Sequence, residues 1–387
     1  MTDLLGCECV FDPDELRDRQ ECARAALEKA GLDLLLVTGP ENILWLTGQQ
    51  TPGYYTFQAL FFPSQGEPFF LIRQLEALNC QANSYIGDVV TYQDDATPAE
   101  ATVKLLRDRG LGQCRIGIEK RGWFLTVGLY EQLSAAFEQI GDGSGVIEAL
   151  RQVKSAREIE YLERAAKYTD AGMLAAMDAI GIGATENDLV AAMLHGAVAA
   201  GSEYFGMEPL VSSGPRSGVP HGTWRRRRLS VGDPVFLELA SVHNRYHAAL
   251  MRTAWMGTPP DLAKRMHDTC LEALEAALEA LKPGATCAEV HAACQAKIDK
   301  AGFTDAFRKR TGYSTGISFA PDWGEGNVLS LYRGVDRVLE PGMAFHIPPA
   351  LRDYGVFTVG VSETAVVTES GCRVLGSVPR DMVVMAQ

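Results

Sequence analysis

Nowhere does this chain of 387 residues hold an uninterrupted apolar run approaching the roughly 18 residues that a membrane-crossing helix requires. Basic charge is also short. With 36 Lys and Arg against 49 Asp and Glu, the formal net charge of -13 repels phosphate backbones and anionic lipid at long range. Nucleic acid and membranes are therefore not expected partners. The nine cysteines are odd in number and scattered, which suits reduced thiols; only Cys7 and Cys9 lie close together, and they read as two incidental thiols rather than a metal clip. The first residues, Met1-Thr-Asp-Leu-Leu-Gly-Cys7, lack the basic and apolar regions of a secretory signal, so a cytoplasmic location is expected. Hydrophobic residues at 47% and charged residues at 22% exclude a disordered or fibrous chain, and the length leaves room for two or three compact domains.

What is present first is an alternation of element types. Residues 13–31 read as a helix, and Leu34-Leu-Leu-Val37 as a buried strand. Ala59-Leu-Phe-Phe62 and Phe69-Phe-Leu-Ile72 form two more strands around the turn-forming Pro63-Ser-Gln-Gly66, and 97–110 is again helical before the strand Ile116-Gly-Ile118. This is an α/β N-terminal domain, and the turn-rich Gly141-Asp-Gly-Ser-Gly145 marks its end. Beyond it, Gly183-Ala-Thr-Glu-Asn-Asp188-Leu189 is echoed 101 residues later by Gly284-Ala-Thr-Cys-Ala-Glu289-Val290. Each copy follows a helical stretch (156–180 and 260–281). In each, Thr185 or Thr286 caps a new helix, with Asp188 or Glu289 at the reciprocal position of a capping box. Each then turns at a glycine, Gly201 or Gly302, into strand-rich sequence. Helix, capped helix and sheet used twice predict two related halves with a cleft between them.

Polar groups with catalytic potential sit in these strand-rich stretches. His221 ends the Gly- and Pro-containing loop Ser212-Ser-Gly-Pro-Arg-Ser-Gly-Val-Pro220, where an imidazole can act as a general base near neutral pH. The following Arg225-Arg-Arg-Arg228 reads as a solvated hairpin in an acidic protein rather than a nucleic-acid patch. Glu238 ends an apolar strand, and His346 and Glu363 are embedded in later ones; a buried carboxylate is costly unless paired or hydrogen-bonded.

Pro220-His221, Gly232-Asp-Pro-Val-Phe-Leu-Glu-Leu-Ala240, Met251-Arg-Thr253, Glu340-Pro-Gly-Met343 and Ser362-Glu-Thr-Ala-Val-Val-Thr368 run in the order found in the creatinase, aminopeptidase P and methionine aminopeptidase superfamily, which the sequence resembles. The hinge-like Arg151-Gln-Val-Lys-Ser-Ala-Arg-Glu-Ile159 adds to the likeness. The resemblance implies an α/β creatinase-like N-terminal domain over residues 1–148. It also implies an α+β "pita-bread" catalytic domain over 149–387, with duplicated helix-helix-sheet halves and a curved, mostly antiparallel sheet.

Metallopeptidases of this superfamily bind two metal ions through two Asp, one His and two Glu. The matching positions here are Glu238, Ala249, Tyr313, Pro348 and Glu363, so neither a catalytic metal nor any other cofactor is expected. What remains is His221, matching the base of creatinase, with Glu238 and Glu363 expected to face a cleft. A planar amidinium or guanidinium would satisfy two carboxylates there. Creatine and ectoine hydrolysis both fit, and Gly312-Tyr-Ser-Thr-Gly316, Ala320-Pro-Asp-Trp-Gly-Glu325 and Phe345-His-Ile-Pro348 look like the ectoine-hydrolase group. The expected partner is a small zwitterionic substrate, with a second copy completing a homodimer. Tyr313 and His346 are expected as pocket hydrogen-bond partners, Asp322 and Trp323 as a lid or aromatic wall, and Arg252 or Arg73 as the group meeting the substrate carboxylate. An Xaa-Pro dipeptidase and a non-catalytic binding protein are the competing readings.

Overall fold

The structure, a computed structural model, describes residues 9–385, and the chain divides into two compact units between Arg151 and Gln152. The expected boundary stood slightly earlier, within the last helix of the first unit. Cys9 is disulfide-bonded, which corrects the expectation of reduced thiols throughout; Cys7 lies outside the described residues, while Cys22, Cys80, Cys114, Cys270, Cys287, Cys294 and Cys372 are free.

The first unit runs α1 (Pro13–Lys29), β1 (Leu34–Val37), α2 (Pro40–Thr47), β2 (Gln58–Pro63), β3 (Phe69–Arg73), α3 (Ala77–Asn83), β4 (Val89–Tyr92), α4 (Pro98–Asp108), β5 (Ile116–Ile118), α5 (Val127–Ala136), β6 (Ile140–Asp142) and α6 (Val146–Leu150). Its sheet has the order β4-β3-β2-β1-β5-β6, antiparallel around β2 and parallel at both edges. Every residue of β1 is buried, as an unbroken Leu-Leu-Leu-Val run requires when helices cover both faces. Leu34 and Leu36 pack with Phe61, Leu105, Leu106 and Leu133 on one side. Helix α2 begins after Gly39, which has no capping side chain. The buried carboxylate of Glu119 takes that role, accepting the Thr38 and Gly39 amides at 2.8 Å each and the Asn42 amide at 2.6 Å. Burial, reinforced by Glu148, pushes its carboxyl up to about 7.

The second unit contains α7 (Ala156–Asp178), α8 (Glu186–Ala200), β7 (Leu210–Ser213), β8 (Pro234–His243), β9 (Tyr246–Met256), α9 (Asp261–Ala280), α10 (Cys287–Lys300), β10 (Gly312–Ser314), β11 (Ser330–Leu331), β12 (Ala344–Ile347), β13 (Ala350–Asp353), β14 (Phe357–Gly360), β15 (Glu363–Val367), β16 (Cys372–Val374) and β17 (Val383–Met385). The duplication reaches the backbone bonds. Thr185 and Thr286 each cap their helix through a complete box. In the first copy the Leu229 amide bonds the Ala184 carbonyl at 2.8 Å, and in the second the Leu339 amide bonds the Ala285 carbonyl at 2.8 Å. The halves are sheets β17-β9-β8-β7 and β11-β10-β12-β15-β16, with the hairpin β13-β14 beside them.

Each sheet buries its outer face under its own helix pair. Met173, Leu189 and Met193 pack on Leu237, Leu239 and Leu250 in the first half; Cys270, Leu274 and Val290 pack on Phe345, Ile347 and Ala365 in the second. Gly172 permits the tight approach of α7, since a Cβ there would lie 2.8 Å from Leu239 and 2.9 Å from the Met193 carbonyl. The sheets meet along β9, where hydroxyls stand in for ladder partners. Thr364 accepts the Ala249 amide at 3.1 Å, Ser362 accepts the Met251 amide at 2.7 Å, and Thr253 accepts the Gly360 amide at 2.9 Å. The inner face that results carries Leu210, Phe236, Ala240, Ala249, Met251, Trp323 and Ala350 as one apolar cluster.

Candidate active site

Strand β8 alternates, so Val235, Leu237 and Leu239 face the helices while Phe236, Glu238 and Ala240 share the inner face. Glu238 lies opposite Leu210 of β7 and Met251 of β9. It is a buried carboxylate that makes no hydrogen bond or ion pair with the described residues. Burial pushes its carboxyl up, and two cations, Lys309 and then Arg352, counter that. Arg352 is two residues from Ala350 on β13 and therefore on the same face. Its Nε is buried without a partner. Lys309 is pushed down to about 8 by burial and by the Arg352 charge, with Glu238 opposing the fall. No motif in the sequence marks either cation.

Beside this cluster runs a buried hydrogen-bond chain. Trp323 Nε1 donates to the Tyr313 hydroxyl at 2.8 Å, that hydroxyl meets His346 Nδ1 at 2.8 Å, and His346 Nε2 meets Ser362 Oγ at 2.8 Å. Burial holds the His346 imidazole well below its ordinary value, with Lys309, Arg252 and Arg310 adding to the effect, so the ring is neutral. Burial likewise pushes the Tyr313 phenol up, with Glu238 adding to it. Trp323 is part of the inner apolar cluster, which makes it a wall rather than a lid. Asp322 does not face substrate space with it. Its Oδ1 accepts the Trp323 and Gly324 amides at 2.7 and 3.1 Å, fixing the turn that presents Trp323.

Glu363 requires a correction. It was expected to face Glu238 across the cleft, but it pairs with Ile347 on β12 and shares the helix-facing side with Ala365 and Val367. Its Oε1 accepts from Arg252 Nη2 and Arg380 Nε at 2.9 Å each. The inner-face residue at this point of the strand is its neighbour Ser362, because a shift of one residue exchanges the faces of a sheet. Arg252 is corrected with it. All its donors are committed, to Glu363 and to the carbonyls of Met251, Ser362, Val378 and Pro379. Arg73, in the first unit, is held by a bidentate pair with Asp94 at 2.5 and 2.7 Å. His221 is exposed, with a left-handed backbone (φ 55), and its ring bonds none of the described residues. The next residue, Gly222, lies over the inner face, where a Cβ would stand 3.7 Å from Ser212 Cβ.

Two helix-backed half-sheets closing on a polar inner face define a pita-bread hydrolase domain, preceded here by a creatinase-type α/β domain. The chain belongs to metallopeptidase family M24, which matches residues 160–369, while residues 19–153 match the creatinase/prolidase N-terminal domain. It is 30% identical to the ectoine hydrolase of Halomonas elongata over 98% of this chain and 100% of that protein. It is 28% identical to an Xaa-Pro dipeptidase of Lactobacillus helveticus, covering 92% of this chain and 96% of that one. Dipeptidase PepE from Mycobacterium ulcerans superposes with a TM-score of 0.84 at 26% identity, over 97% of this chain and 99% of that one. The prolidase of Pyrococcus horikoshii, at 23% identity and a TM-score of 0.84, shares the fold over 95% of this chain and 100% of its own.

The family's name implies metal, and the residues present do not fit it. Ala249 and Pro348 offer no donor. The Tyr313 phenol is committed to Trp323 and His346, and Ser362 to His346 and the Met251 amide. Glu238 remains, facing two cations of the sign a metal would carry. Among the described residues no three His, Cys, Asp or Glu side chains converge as ligands.

Proposed function

We propose that this protein hydrolyses a C–N bond of a small zwitterionic amidine without a catalytic metal, with ectoine or 5-hydroxyectoine as the preferred substrate. The observation that carries the reading is Glu238, a buried, unpaired carboxylate on the inner face of a family M24 domain whose other ligand positions hold Ala249, Tyr313 and Pro348, with Glu363 committed to Arg252 and Arg380. An amidinium N–H donates to a carboxylate as a charge-assisted bond, and in a buried site that bond is strong. The charge delocalised over the two nitrogens leaves the carbon between them electron-poor. His221, with its ring uncommitted, takes a proton from water as the water oxygen bonds that carbon. The C–N bond then breaks and the imidazolium returns the proton to the departing nitrogen, so one water is consumed and no redox step is needed. The full-length similarity to ectoine hydrolase supports the same choice.

Creatine, also a zwitterion with a planar cation, is the second reading. Mass spectrometry of purified protein incubated with ectoine, creatine and a proline dipeptide, with and without chelator, separates the possibilities. The expected result is a ring-opened product one water heavier than ectoine, formed equally with chelator present. Dipeptide cleavage abolished by chelator would overturn the proposal.

A further inference from the structure

Of the cations deep in the catalytic domain, most are spent. Arg252 uses every donor, Arg227 is paired with Asp233, Arg310 bonds the Gly326 carbonyl and Ser330, and Lys154 pairs with Glu325 at 2.7 Å. Arg352 and Lys309 differ, for neither makes a side-chain hydrogen bond or ion pair with the described residues. Lys309 lies in the loop before β10, which packs on the β13-β14 hairpin that carries Arg352: its neighbour Arg308 stands over the Tyr354 ring at 4.3 Å. Lys309 and Arg352 are both electrostatic neighbours of Glu238. Arg352 is half-buried with its Nε enclosed; a buried donor without a partner is costly to maintain, and two neighbouring cations repel. One carboxylate cannot satisfy both.

We infer that Arg352 and Lys309 form the subsite that binds the substrate's carboxylate. This rests on the reading that Glu238 takes the cationic end, and it gives every charge in the cluster an opposite neighbour. Three observations converge. Arg352 shares the inner face with Ala350, and the inner cluster containing Ala350 also contains Phe236 and Ala240, the residues flanking Glu238 on its face. The buried Arg352 Nε lacks an acceptor. The hairpin that carries Arg352 is tied to the loop before His221, because Thr358, opposite Arg352, donates to the Ser217 carbonyl at 2.5 Å. The hairpin and the loop that leads to the proposed base are thus tied together. The planar fork of Arg352 suits a carboxylate, and Lys309 adds a point charge. The site therefore selects amidines that carry a carboxylate over those that do not.

The test is calorimetric titration of the full chain and its Arg352→Gln, Arg352→Lys and Lys309→Gln variants. Ligands are ectoine, the same cyclic amidine lacking its carboxylate, and acetate as a bare carboxylate. Arg352→Gln is expected to weaken ectoine about 10–150-fold, the range of a lost charged hydrogen bond, and the decarboxylated amidine several-fold less. Arg352→Lys should restore part of the loss. A cooperative melt near that of the parent checks folding of each variant. Equal losses for the two amidines would overturn the subsite. If the parent binds neither amidine but binds acetate in an Arg352-dependent way, the subsite stands and the amidine reading falls. If it binds none of the three, both fall.

Discussion

Glu238 and Glu363 are both buried carboxylates in strands of the same domain, yet their surroundings are opposite. Glu363 lies on the helix side between two arginines, its charge matched by neighbours fixed in the fold. Glu238 lies on the inner face with no hydrogen-bonding partner of its own and two cations nearby that lack partners as well. A folded protein satisfies the charges that hold it together and leaves incomplete those that await a ligand. The contrast separates an acid satisfied by the fold from one left open more sharply than burial does, since both are nearly inaccessible.

Substituting each acid tests the contrast directly. Glu238→Gln should cut turnover of the true substrate by about 10²–10³-fold, as expected when a preorganised charge is removed, while the melting temperature stays near the parent's because no hydrogen bond or ion pair of the fold is broken. A lowered melting temperature with intact kinetics would reverse the assignment. Glu363→Gln should do the opposite, costing roughly 3–5 kcal/mol in denaturant unfolding because buried Arg252 is left without its partner. Its kcat per folded molecule should stay near the parent's. A smaller effect is expected from pH. Lys309 faces Arg352, Glu238, Cys270 and Cys294, and is protonated below about 8. Affinity for a carboxylate-bearing substrate is therefore complete below that value and falls as pH rises through it, to about tenfold weaker a pH unit above. Lys309→Gln should flatten the profile, and a pH-independent KM from 7 to 9.5 in the parent would contradict it. The least effect concerns the duplicated architecture: Thr185→Ala and Thr286→Ala should each cost about 1 kcal/mol, equally, since the two caps are built alike.

Much of this was legible in the chain. The apolar run Leu34–Val37 is a strand with those same bounds, and the repeated Gly-Ala-Thr boxes cap α8 and α10 as expected. Tyr313 and His346 were expected only as hydrogen-bonding groups of a pocket; that they bond each other is a result of their pairing across β10 and β12. Helix α2 was not foreseen, because its N-terminus is capped by Glu119, far away in sequence. The face of Glu363 was misjudged for a similarly physical reason: in a strand of continuous burial, β15, no alternation of polar and apolar residues marks which side is which.

The sequence alone determined many of the elements, the duplication, the family and the identity of the groups available for chemistry, since these depend on local pattern and residue type. Only the tertiary structure decided which acid stands unpaired on the inner face and which cations lie near it. Side chains in a strand change face at every residue, and Glu238 on β8, Arg352 on β13 and Lys309 in the loop before β10 are far apart in sequence and meet only in the folded domain.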